Sequence, residues 1–259
     1  MVEIHPTAVV SDKAELGTHV MVGPYAVIED DVIIGDGCQI GPHVYVHSGT
    51  RLGQRVRVEK GAVLGTDPQD LKYGGEKTYL EIGDDTTIRE FATLNRGTDF
   101  HYKTVVGKNC FLMAYVHVAH DCIIGDNVVI ANSVQMAGHV EIDDFAGIGG
   151  LTAIHQFVRI GKHCFVGGGL RVTKDVPPYV LAMGDPIRYG GTNFVGLKRR
   201  GFSSETLRLI KRAYRTVYQS NLKLRDAIQT LKKEFPEQEE IHEIVSFLEK
   251  SERGIIPLK

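Results

Sequence analysis

No tryptophan occurs anywhere in the 259 residues, and no stretch of the chain approaches the run of about 18 apolar residues that a membrane span requires. The opening MVEIHPTAVV holds neither a basic start nor an apolar core, so no secretory signal is expected and the chain should remain in the cytoplasm. Neither sign of charge is in excess. Thirty Lys and Arg stand against 32 Asp and Glu, a net of −2, which argues against a nucleic-acid-seeking protein, and a 42% hydrophobic content argues against a disordered one. Cysteine is scarce, and without export the four residues read as reduced thiols rather than two disulfides. A Gly-x-Ser-x-Gly elbow, a Walker loop and any Cys-x-x-Cys are also missing, so serine-nucleophile, NTPase and zinc-ribbon chemistries find no support. Glycine, by contrast, is abundant at 29 residues, which suits many tight turns around a narrow interior.

What the sequence does have is a six-residue clock. Of the 29 positions stepped by six from Ile4 to Val172, 26 are Ile, Val, Leu or Met, and the exceptions are Asp70, Glu76 and Phe100. Four residues after each aliphatic comes a small or branched side chain, as at Ala8, Ala14, Val20, Ala26 and Cys38. A helical period of 3.6 cannot produce this repeat, and neither can simple strand alternation. One short strand and one turn per hexad can, with three hexads closing a triangular coil whose interior the aliphatics fill. Stacked at the strand spacing of about 4.8 Å, roughly ten coils would make a rod about 45 Å long. Cys38, Cys110, Cys122 and Cys164 all fall on the small-partner position, so each is expected to point inward as a core thiol.

The rod is expected over residues 1–185, with loops ejected near 66–81 and 99–105 where the clock misses. Residues 186–259 read as a linker, around Pro186 and Gly190-Gly191, followed by helices. Leu207, Ile210, Tyr214, Val217 and Tyr218 share one helical face after the N-cap candidate Ser203, and two further apolar sets flank Pro236. Residues 196–259 hold 14 Lys and Arg against nine Asp and Glu. Their basic run is either a solvated helix face or a docking patch for an acidic partner; nucleic acid fits less well, because the aromatics there sit at core-facing positions.

Chemistry has to come from outside the interior registers, and His117, His120, His139 and His155 all lie there. His139 follows His120 by 19 residues, one coil plus one, so the solenoid gathers them at one edge. An imidazole there can act as a general base or bind a metal. Asp121 could orient His120, although neighbours on a strand point to opposite sides.

Several segments carry a resemblance: IHPTA (4–8), QDLKY (69–73), HVAHDC (117–122), AGHV (137–140), AIHQF (153–157), DVPPYV (175–180) and GLKRRGFS (196–203). Together they resemble the UDP-N-acetylglucosamine O-acyltransferases along essentially the whole chain. That resemblance implies a mainly β fold, a left-handed parallel β-helix with a C-terminal helical domain. It also implies transfer of an (R)-3-hydroxyacyl chain from acyl carrier protein to the 3-position of UDP-N-acetylglucosamine, the first step of lipid A biosynthesis. The implied general base is His120 beside Asp121, with the Gly138 N–H at the oxyanion. Asp70, Lys72, His117, His139, His155, Gln156, Asn193, Arg199 and Arg200 would contact substrates, and Gly168 would limit acyl length. The resemblance further implies a homotrimer and no cofactor or metal. Asn95 and Val195 depart from the family's usual histidine and acid. Two other hexapeptide enzymes are alternatives: the N-acyltransferase of the same pathway, whose extra N-terminal domain has no room before Ile4, and a γ-class carbonic anhydrase. The latter spaces its ligands His-x4-His, whereas His117 and His120 are spaced His-x2-His.

Overall fold

The computed structural model describes residues 1–258. Each hexad forms a strand of mostly two residues followed by a two-residue turn, and three such strands close one coil. Successive coils pair in parallel, building three faces of ten, nine and eight strands in a left-handed parallel β-helix, and one antiparallel strand extends the first face to 11. The first face carries Glu3–Ile4, every third strand up to Phe165–Val166 and then Val180–Met183, the second Val9–Val10 and its series, the third Glu15–Leu16 and its series. Register is strict, as where Val129 aligns with Gly147 and Gly147 with Phe165. Bonds such as Val27 N–H to Val44 O (2.9 Å) tie coil to coil.

The interior is as the clock requires. Ile28, Ile34, Leu64, Ile88, Leu112 and Ile130 are wholly buried, and so are their small partners Ala26, Val32 and Val128. All four cysteines are free and buried, and burial pushes the thiols up, Cys110 to about 11 and Cys122 to about 12. The second turn residue of nearly every hexad adopts left-handed backbone, including His139 (φ 62°) and Phe157 (φ 61°). That conformation costs an L-residue about 1–2 kcal/mol. Stacking between coils offsets it, as for Phe91 on Tyr115 (5.3 Å between centroids) and Phe145 on His163 (4.8 Å).

Two excursions interrupt the coils: the first, at 67–78, is tighter than the expected 66–81 because the flanking strands lengthen to Val63–Thr66 and Tyr79–Ile82, and the second, at 96–102, lies three residues before the expected 99–105 because the strand Lys103–Val106 begins within that span. Both leave from the corner between the second and third faces, on successive coils. Asn95, buried at the root of the first, donates to Thr66 Oγ1 (3.0 Å) and to the Asp67 carbonyl (2.8 Å), while Arg96 pairs with Asp67.

The passage expected to be a linker is instead a strand. Arg188–Thr192 folds back antiparallel on Val180–Met183, itself a continuation of the first face. Gly190 permits this, because a Cβ there would meet Met183 Sδ at 2.5 Å. A six-residue helix that the apolar pattern did not reveal, α1 (Phe194–Arg199), follows. Then come α2 (Ser204–Gln219), α3 (Leu224–Glu234) and α4 (Glu239–Glu249). Ser203 caps α2 as expected, its hydroxyl accepting the Thr206 N–H at 3.0 Å. Leu207, Ile210 and Tyr214 join the same buried cluster as Val176 and Val180, so the helices close the C-terminal end of the rod.

Candidate active site

The corner that ejects both loops also carries His120–Asp121, Gly138–His139 and His155–Phe157 on the next three coils. His120 and Asp121 are the two residues of a single turn, so the strand rule that would point them apart does not apply. Left-handed backbone at Asp121 (φ 58°) brings its carboxylate beside the preceding ring, with His120 Nδ1 2.8 Å from Asp121 Oδ2. Asp121 also accepts the Thr98 hydroxyl (2.7 Å), the Thr98 N–H (3.0 Å) and the His101 N–H (3.1 Å). Burial alone would raise this carboxyl, yet the hydrogen bonds from His120, Thr98 and His101 outweigh it and hold it at about 2. A permanent acceptor on Nδ1 assigns the proton to that nitrogen and leaves the Nε2 lone pair free.

Gly138 lies directly beneath the ring: a Cβ there would meet His120 Cε1 at 2.5 Å and Nε2 at 2.7 Å. Among the described residues no protein group accepts the Gly138 N–H. His139 meets His120 edge-on (5.0 Å), stacks on Phe157 (4.4 Å) and takes the edge of Phe100 (4.7 Å). Burial lowers His139 below the usual histidine range, and its buried Nδ1 has no partner among the described residues. His117, also lowered by burial, turns Nδ1 to Thr93 Oγ1 at 2.7 Å. His155 and Gln156 are exposed one coil beyond His139. On the 67–78 loop Asp70 folds an Asx turn onto the Lys72 N–H (3.0 Å), Lys72 is exposed, and the charge of Asp70 reaches His139.

His120, Asp121 and His139 place ligand-type atoms within 4.8 Å of one another. They do not fit a metal. Asp121 already accepts four hydrogen bonds, about the capacity of a carboxylate, and a cation would have to strip them. His117, committed to Thr93, completes no three-histidine set.

The remaining expected residues lie elsewhere on the chain. Gly168 occupies the first-to-second corner, packed against Gly149. Asn193, Arg199 and Arg200 surround α1 at an apolar groove of about 770 Å³ along the first face, over the outward row Val129, Gly147, Phe165 and Leu181. Asn193 is already engaged: its Oδ1 caps α1 through the Gly196 N–H (3.2 Å) and its Nδ2 donates to the His163 carbonyl (3.0 Å). Arg200 lies over the Phe145 ring at 4.6 Å. Val195, exposed on α1, offers no polar group. One chain therefore keeps the His120 cluster and the α1 groove apart. Thr98, His101 and Phe145 were not singled out from the sequence; the interruption at 99–105 included His101 but began one residue after Thr98, and the turn register could have found Phe145.

In the helices Arg212 is tied to Glu234 (2.8 Å), whereas Arg208, Lys211 and Arg215 line a cleft of about 740 Å³ beside Tyr189 and Thr192.

A sequence profile described as UDP N-acetylglucosamine O-acyltransferase, domain 2, matches residues 175–256, and the bacterial transferase hexapeptide profile matches 31–66 and 103–138. The acyl-[acyl-carrier-protein]–UDP-N-acetylglucosamine O-acyltransferase of Thiobacillus denitrificans is 48% identical, covering 99% of this chain and 100% of its own. Its counterpart from Halorhodospira halophila is 47% identical with the same coverage. Among solved structures, the UDP-N-acetylglucosamine acyltransferase of Bacteroides fragilis superposes with a TM-score of 0.95, at 44% identity over 98% of this chain and 99% of that one. The Arabidopsis enzyme gives 0.87, at 33% identity over 98% and 99%.

Proposed function

The chain belongs to the UDP-N-acetylglucosamine O-acyltransferase family, and from that premise we propose how it moves an (R)-3-hydroxyacyl chain from acyl carrier protein to the 3-position of UDP-N-acetylglucosamine, the opening step of lipid A biosynthesis. The observation that carries the mechanism is the His120–Asp121 pair. His120 Nε2 takes the proton of the sugar 3-hydroxyl as that oxygen bonds to the thioester carbonyl carbon. The resulting oxyanion accepts the Gly138 N–H. Collapse breaks the carbon–sulfur bond, and the departing thiolate recovers the proton from the His120 imidazolium, which Asp121 stabilises meanwhile. A base so placed supplies about 10²–10⁴-fold, and the remainder comes from orientation and oxyanion binding.

Asp70, Lys72, His117, His139, His155 and Gln156 hold the sugar nucleotide at the same corner. Arg199 and Arg200, with Asn193 capping their helix, supply cations for its diphosphate. The apolar groove takes the acyl chain, and Gly168, against the groove residue Gly149, limits its length. Because the two sets sit on different edges of one chain, the complete site forms between protomers of a head-to-tail homotrimer. The exposed basic side chains of α2 dock the acidic carrier protein. No helix among the described residues is long and apolar enough to cross a membrane, which fits the proposed cytoplasmic reaction.

His120→Ala tests the reading. The variant should fold and assemble yet lose several orders of magnitude in turnover; near-normal transfer would refute the base assignment. Stoichiometric zinc in protein purified without chelators would instead favour the carbonic anhydrase alternative.

A further inference from the structure

The excursion at 96–102 lengthens one coil by a whole hexad between Leu94 and Val106 without adding a strand. It is closed on itself. The Gly97 N–H donates to the Tyr79 carbonyl (3.1 Å), the Tyr102 N–H to the Thr98 carbonyl (2.8 Å), and a Cβ on Gly97 would collide with the Lys103 backbone. This closure aims three donors at one carboxylate: the Thr98 hydroxyl, the Thr98 N–H and the His101 N–H all reach Asp121. Thr98 is 6% exposed, and its hydroxyl is turned inward to Asp121.

Asp121 Oδ2 faces a choice of imidazoles. His120 Nδ1 lies 2.8 Å away, and the unpartnered Nδ1 of His139 lies 4.0 Å from the same oxygen. The Thr98 hydroxyl, 2.7 Å from Oδ2, fixes that oxygen against His120. We propose that Thr98 is a positioning residue of the acyl transfer: through Asp121 it sets the orientation and tautomer of His120 and prevents the carboxylate from turning to His139. The inference rests on His120 being the base.

Valine keeps the shape and the N–H of Thr98 but removes the hydroxyl. In the full-length enzyme Thr98→Val is expected to lower kcat about 10- to 100-fold, the worth of one hydrogen bond to a charged group. KM for UDP-N-acetylglucosamine and for acyl carrier protein should stay within about threefold, since ground-state binding is untouched. Thr98→Ser should restore kcat, and Thr98→Ala, which fills less space, should match valine. Because Thr98 acts through Asp121, adding Thr98→Val to Asp121→Asn should cost nothing further. An unchanged kcat, a serine variant as poor as valine, or additive losses would each overturn the proposal. With His120→Ala inactive, those outcomes remove the Thr98 role alone; an active His120→Ala removes the base and Thr98 together.

Discussion

The His120 ring rests on Gly138 of the next coil, so closely that a Cβ at 138 would come within 2.5 Å of Cε1. No side chain at 138 can coexist with the observed ring. Gly138→Ala should displace the base by roughly an ångström, a misplacement able to cost about 10²-fold in rate. The same methyl would crowd the N–H assigned to the oxyanion. Steady-state kinetics should therefore show a kcat loss of at least that size with the melting temperature little changed, because the ring can swing outward, away from the coil interior. Equal kcat for the two proteins would remove Gly138 from the site.

The rod was legible in the sequence because its cause is local. An aliphatic every six residues, with a small partner four residues on, specifies the interior without reference to distant contacts, and Ile28, Leu64 and Ile130 are buried as that pattern requires. The His120 edge was legible for the same reason, since coil arithmetic places 120 beside 139. What the sequence hid depends on turn geometry. Asp121 reaches His120 only because a left-handed turn residue escapes strand alternation. Its partners Thr98 and His101 arrive on a loop whose path no periodicity encodes. The hairpin at 188–192 was concealed by glycines that signal a linker but here admit Met183. The separation of Arg200 from His120 follows from where α1 lies, along the first face and away from the second-to-third corner that carries His120.

His163 makes the fold acid-sensitive. It is 8% exposed, stacked between Phe145 (4.8 Å) and Tyr179 (5.7 Å), and its Nδ1 has no partner among the described residues. Burial first, then the positive charges of Arg200 and Lys162, push it down to about 4, with Asp144 only partly opposing them. The unfolded chain, near the ordinary value of 6.5, thus binds the proton more readily than the folded one. Stability is full above that value and is lost as pH falls from 6.5 towards 4, by up to about 3 kcal/mol. His163→Phe retains the stack and removes the proton site. Thermal melts at pH 7.5 and pH 5 should differ less for the variant than for the parent protein; an identical acid loss would contradict this account.

On α2, Arg208, Lys211 and Arg215 face a common cleft, whereas Arg212 is held by Glu234 and stacked over Phe235. Changing the first three to glutamine should raise KM for acyl carrier protein about tenfold, as three screened contacts of roughly 0.5 kcal/mol each imply. KM for the sugar nucleotide should hold, and the dependence of carrier KM on salt should flatten. Arg212→Gln, already neutralised by its partner, should do little. Equal rises in both KM values would show that the cleft does not discriminate the carrier.

The sharpest consequence of the proposed site is that no single chain would own all of it. His120 belongs to the second-to-third corner and Arg200 to the groove along the first face. If protomers close head to tail, each site takes its imidazole from one chain and its guanidinium from the next. His120→Ala and Arg200→Ala, each purified alone, should be severely impaired. Coexpressed with separable tags and isolated as mixed assemblies, they should recover activity, because some junctions pair an intact His120 with an intact Arg200. A three-membered ring that holds both variants has one whole junction of its three, so about a third of the parent rate is expected of the isolated mixed assemblies. Were both residues to serve the same site from one chain, every site in every mixture would carry a lesion, and coexpression would yield no more than the average of the two crippled enzymes.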